Sequence, residues 1–208
     1  MPREDEEIVY VLSGAGVTRE GVEVGEGYCL VRLAGELAHG LVAGPSGLDV
    51  LSFSARAGAG PTGGSGRIVK LGEVEPVTFD KDEYGCVDRD LGRAGGSVWA
   101  GLVHLVVEPS KLNCPPHCHS AEEELFVVLE GEGACLLGDE EHPMRRGSVV
   151  GRPPGTGVAH AFRGPLTLLA YGTRDTNDVC YYPRTKKIHW RGLGVAARIE
   201  SLEPWDGV

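Results

Sequence analysis

The chain has 208 residues and a formal net charge of −10, from 20 basic and 30 acidic side chains. An acidic surface repels phosphate backbones and anionic lipid, which argues against nucleic acid and membrane as partners. The hydrophobic share of 41% suits one core or two small ones in contact, and no apolar run reaches the roughly 18 residues of a membrane helix.

The first residues, Met-Pro-Arg-Glu-Asp-Glu-Glu, are polar and acidic and do not read as a signal peptide, so a cytoplasmic setting is expected. The six cysteines (29, 86, 114, 118, 135 and 180) are then expected as free thiols. Glycine, at 32 of 208 residues, is about twice its usual ~7% share, and there are 13 prolines. That composition favours short strands and tight turns over long helices.

In chain order, β-type runs fall at 8–12, 28–33, 48–53, 98–107, 125–129, 134–137 and 166–171, each bounded by Gly, Pro, Asp or Ser. No segment keeps a helical period, so a closed antiparallel β architecture is expected. Residues 58–66 are Gly-rich and read as a linker. Gly58-x-Gly60-x-x-Gly63 has the dinucleotide-fingerprint spacing, but Pro61, Gly64 and Gly66 forbid the helix it needs. The runs repeat: EEIVYVLSGAG and LDVLSFSAR before the linker answer EEELFVVLEGEG and LTLLAYGTR after it. Glu7 falls on Glu124, Gly14 on Gly131, His39 on His160 and Arg56 on Arg174. The expected organisation is a partial first unit over 1–57, the linker, an intact unit over 67–186, and a tail over 187–208 that packs back on the first unit.

The chemistry concentrates at 115–131, PPHCHSAEEELFVVLEG. On a strand, residues two apart share a face, so His117 and His119 project into one space. Glu124 opens the next strand and can return its carboxylate there. His160 follows a Pro-Pro-Gly turn at the head of another strand. Three imidazoles and a carboxylate suit one divalent transition metal: Fe, Mn, Ni, Zn, Co or Cu. Glu123 competes with Glu124, and the six residues from Glu124 to Gly131 favour the latter. A zinc finger built on Cys114, His117, Cys118 and His119 lacks a second ligand pair at the right distance. Cys118 lies between the two histidines, hence on the opposite face. The runs 122–124 and 139–141 read as solvated turns, Glu124 excepted.

These residues resemble the cupin superfamily, small double-stranded β-helix barrels. The first cupin motif matches His117, His119, Glu124 and Gly131, with Lys111 in place of its leading glycine. The second matches Gly147, Pro153, Gly155 and His160, with four residues where the motif has two before the histidine and Gly164 in place of its asparagine. The resemblance implies an all-β jelly-roll with two cupin-like units, the first incomplete. It implies metal ligands His117, His119, Glu124 and His160, and a metal-dependent dioxygenase, decarboxylase or isomerase acting on a small organic molecule. The alternative is a non-catalytic module that binds a small ligand.

Pocket-lining positions are expected at Phe126 and Val128, which share Glu124's face, and at Phe162, His104 and Tyr171. Counting back from Glu7 gives no His-x-His, so the first unit holds no metal site. The strand at 125–129 is apolar on both faces and must be buried on both, by the sister unit or by another chain. A homodimer is the expected assembly.

Overall fold

The computed structural model describes residues 4–37, 40–58, 65–200, 202–203 and 205–206. His39 and most of the expected linker, residues 59–64, lie outside the described residues.

The elements in chain order are β1 (Asp5–Thr18), β2 (Glu23–Gly25), β3 (Tyr28–Arg32), β4 (Leu41–Arg56), β5 (Ile68–Lys70), β6 (Val77–Lys81), β7 (Tyr84–Asp90), a single helical turn α1 (Leu91–Ala94), and β8 (Ala100–Val107). There follow β9 (Cys118–His119), β10 (Glu124–Leu137), β11 (Glu140–Arg145), β12 (Val149–Arg152), β13 (His160–Arg163), β14 (Leu166–Thr173), β15 (Val179–Tyr182), β16 (Lys187–Trp190) and β17 (Val195–Arg198). The architecture is all-β, as the glycine-rich composition predicts.

The strands form three sheets, ordered β2-β1-β3-β5 with β4 on β1, β11-β10-β14-β8-β7-β6 with β12 and β13 on β10, and β17-β16-β15-β9. The long strand β10 organises the second half. Its first residues pair with β12 and β14, and its last with β11 and β13. A bend is needed between those two stretches, and the register shifts between Val128 and Glu130. Gly131 follows at φ +90, where a Cβ would meet the carbonyl oxygen of Pro165 at 2.3 Å.

Strands β1 and β10 share several local features. Strand β1 is 14 residues long, as is β10. Its register shifts between Val11 and Ser13, and Gly14 sits at φ +82 with a virtual Cβ 2.2 Å from the carbonyl of Gly47. Strand β4 runs along β1 as β13 and β14 run along β10. In the first half, however, Glu7 is taken by Arg32 and Ser52, which donate to its two carboxylate oxygens.

Alternation on the shared strands builds two cores. Leu105, Val107, Phe126, Val128, Phe162, Leu166 and Leu168 fill the barrel of the second half. Ala100, Leu102, Leu169 and Tyr171 point the other way. They pack with Ile8, Tyr10, Val31 and Phe53 of the first sheet, with Leu125, Val127 and Leu129 against them. The strand at 125–129 is thus covered on both faces within one chain. Phe53 stacks on Tyr171 at 4.9 Å and 13°, worth about 0.5–1.5 kcal/mol beyond area burial.

One buried charge fastens the two halves. Glu6 is fully buried on β1, and its carboxylate accepts from the backbone N–H groups of Val98, Trp99 and Ala100 and from the Ser97 hydroxyl.

Two expectations about organisation change. Strand β5 follows the linker, yet it pairs with β3 and completes the first sheet. Among the described residues the tail does not pair with the first unit: β16 pairs with β15 and β17 with β16, extending the sheet that carries His119. The physical reason is local, since the chain reverses through one turn after Tyr182 and again after Trp190.

Candidate metal centre

His117, His119, Glu124 and His160 come from three places on the barrel wall and converge. Strand β9 is only two residues long, because Pro115 and Pro116 precede it. It is held by β15 on one side and by an isolated bridge from His117 to His160 on the other. His160 opens β13, and Glu124 opens β10. Oε2 of Glu124 stands 3.1 Å from Nε2 of His160 and 3.5 Å from Nε2 of His119. The ring of His117 lies 5.0 Å from that of His119 and 4.8 Å from that of His160.

The donor atoms are arranged for a cation. Metal–ligand bonds of about 2.1 Å set neighbouring donors roughly 3–4 Å apart, the spacing seen here. Nε2 of His119 is buried with no hydrogen-bond partner, and the buried Oε2 of Glu124 has none beyond its close approach to Nε2 of His160. Such orphaned atoms are costly unless a ligand completes them. His117 turns its Nδ1 to the carbonyl of Pro115 at 3.0 Å, which leaves Nε2 free. Burial, with His160 beside it, pushes His117 down to about 4. Near pH 7 it is neutral and keeps a lone pair. Burial alone raises Glu124, but the imidazoles of His160, His119 and His117 outweigh it and hold the carboxyl below its ordinary value. These residues fit a divalent metal.

A second layer stands behind His119. Asp178 is fully buried, and its Oδ2 lies 2.7 Å from Nδ1 of His119. Its Oδ1 accepts from the backbone N–H of Ala121 at 3.0 Å and of Glu122 at 3.2 Å. Burial opposes its charge, yet these bonds win and hold its carboxyl low. Ionised Asp178 can only accept, so Nδ1 of His119 carries the proton and Nε2 faces the centre. Glu122 is buried too, not solvated as its place in an acidic run suggests. It accepts from the N–H of Asp175 at 3.1 Å and pairs with Arg191 at 2.8 Å.

His119, Glu122 and Asp178 form a trio with metal-compatible spacing, as do His117, His119 and Cys180. The two carboxylates are already saturated, and burial raises the Cys180 thiol to about 12. The trio of His117, Glu124 and His160 has no such competing partners on its carboxylate. Burial likewise raises the Cys114 thiol, whose Sγ lies 3.5 Å from His117. Glu123 is exposed, whereas Glu124 turns its carboxylate to His119 and His160. Cys118 turns away, its Sγ 3.9 Å from the carbonyl of Tyr181.

Of the expected pocket residues, Phe126 lies 5.3 Å from His160 and 4.5 Å from Phe162, and Val128 packs in the same core. Two others are misplaced. His104 and Tyr171 share the faces of Leu102 and Leu169, so strand alternation turns them out of the barrel, toward the first sheet. His104 instead lines a cleft of about 630 Å³ between the two halves. His119, Glu124 and His160 line a tight crevice, and Arg152, Pro153 and Thr156 complete its wall.

Residues 103–170 match the model of the cupin domain family. The cupin-domain match falls in the second half of the chain. A candidate sugar phosphate isomerase of Acidithiobacillus ferrooxidans is similar at 26% identity and a TM-score of 0.57, over 64% of this chain and 92% of that one. A sugar phosphate isomerase from the cupin superfamily of Silicibacter pomeroyi gives 26% and 0.52, over 58% and 83%. Oxalate decarboxylase of Bacillus subtilis gives 14% and 0.57, over 84% and 64%, a likeness of fold alone. No curated protein matches the chain. No helix of the described residues is long and apolar enough to cross a membrane.

Proposed function

We propose that this cupin is a metal-dependent enzyme acting on a small organic molecule, of the isomerase, decarboxylase or dioxygenase type. The observation that carries the reading is the grouping of His117, Glu124 and His160, with the buried, unpartnered Nε2 of His119 3.5 Å from Oε2 of Glu124. A divalent transition metal held there supplies Lewis-acid polarisation of a substrate oxygen. The chain's own residues do the rest. Asp178 fixes the proton of His119 on Nδ1. Phe126, Phe162 and Val128 keep the floor dry, which strengthens every charge interaction at the site. We also read the first half as a cupin unit that has lost its site and serves as a wall, supported by the matching bulge glycines and by the tied-up Glu7.

Elemental analysis of the purified chain tests the reading. About one metal ion per chain is expected, lost in His160→Ala while the β-rich circular dichroism spectrum stays. Metal content unchanged in that variant would refute the ligand set. Metal and small-molecule binding without turnover of any keto acid, hydroxy acid or sugar phosphate would favour a ligand-binding module instead.

A further inference from the structure

We infer that Arg152 recognises a carboxylate at this site, so that the substrate is a small carboxylic acid. The inference rests on the metal-centre reading and adds the substrate class to it. Arg152 ends β12 and stands directly opposite Glu124 in the β10–β12 pairing. Directly paired residues share a face of the sheet, so its side chain leaves toward the barrel interior beside Glu124. Val150, two residues earlier on the same face, packs into the barrel core and agrees with that direction.

Arg152 lines the same narrow space as His119, Glu124 and His160. It makes no ion pair among the described residues, although a carboxylate is its cross-strand neighbour: Glu124 turns its Oε2 to the imidazoles. One terminal nitrogen of Arg152 donates to the carbonyl of Val158 at 2.6 Å and to the Thr156 hydroxyl at 3.1 Å. Those bonds hold the plane of the guanidinium. Its Nε is buried and has no partner. A held, planar donor group with a buried N–H left open, next to a cluster of metal-ligand type, suits a carboxylate, whose oxygens accept from such a fork.

The test titrates glycolate, and its uncharged isostere glycolamide, into the Mn²⁺-loaded chain, Arg152→Met and Arg152→Lys, following heat. Metal uptake and thermal midpoint are recorded first for all three. Glycolate is expected to bind the unaltered chain about ten- to hundredfold more tightly than Arg152→Met. Arg152→Lys should fall between them, and glycolamide should bind all three alike. A merely structural role in holding the 152–158 loop would weaken both ligands equally, and that result overturns the inference. So does equal glycolate affinity in the unaltered chain and Arg152→Met, or no binding of glycolate, glyoxylate or oxalate. Inorganic phosphate bound more tightly than every carboxylate also overturns it. If the unaltered chain takes up no Mn²⁺, Ni²⁺ or Zn²⁺, the metal reading fails by itself. The same glycolate comparison on the metal-free chain then decides the role of Arg152.

Discussion

Asp178→Asn isolates one proton. The new side chain keeps the volume of the old, and its amide oxygen can still accept from the N–H groups of Ala121 and Glu122. Its NH₂ group then faces Nδ1 of His119, where Oδ2 stood at 2.7 Å. A donor now meets a donor. The imidazole relieves the clash by moving its proton to Nε2, the nitrogen aimed at Glu124. The metal must then displace that proton, or work against a disfavoured tautomer. Loss of such a supporting bond costs roughly 10–100-fold in metal affinity, about 1.4–2.7 kcal/mol. The assay is competition against a metal-binding dye, with the thermal midpoint of the metal-free chain measured alongside. The expected result is weaker binding at a nearly unchanged midpoint. Affinity within about twofold of the unaltered chain would refute the tautomer argument.

Three further outcomes follow from the packing and the charges. Glu6→Ala leaves the backbone N–H groups of Val98, Trp99 and Ala100 without their acceptor, while the Ser97 hydroxyl keeps the carbonyl of Ala100, and should cost about 3–5 kcal/mol in urea unfolding; a loss under about 1 kcal/mol would show the carboxylate to be dispensable. Phe53→Ala removes the ring stacked on Tyr171 and should destabilise by about 3–5 kcal/mol while metal stoichiometry is kept, read by the same unfolding and by elemental analysis. The metal-free chain should lose stability as pH falls from 6.5 toward about 4, because His117 accepts a proton in the unfolded state at 6.5 but in the folded state only near 4. A flat stability profile over that window would show that His117 is not held neutral by the fold.

The convergence of His117, His119 and Glu124 was legible because it obeys local rules. His117 and His119 share a face by the two-residue period, and the turn to Glu124 is short. His160 was legible only through its Pro-Pro-Gly turn and the resemblance. Asp178 was not, since it lies 59 residues from His119 and meets it only because β15 pairs with β9. Glu122 was hidden by composition: an acidic run looks solvated, and only the fold shows that Arg191 of the tail covers it. His104 and Tyr171 failed for a subtler reason. Alternation says that a strand has two faces, but not which one meets the barrel when both are apolar. Leu168 and Leu169 differ by one position and lie in different cores.

The wall that covers the outer face of β8, β10 and β14 is part of the same polypeptide. Its docking is therefore a unimolecular event, governed by tether length and not by protein concentration. Dilution cannot strip it, and no search for a partner precedes it. Cleaving the backbone within residues 59–64 would turn the same contact into a bimolecular one. The buried faces of Leu102, Leu169 and Tyr171 would then open to water at low concentration, and the packing of the second half would acquire a dependence on dose.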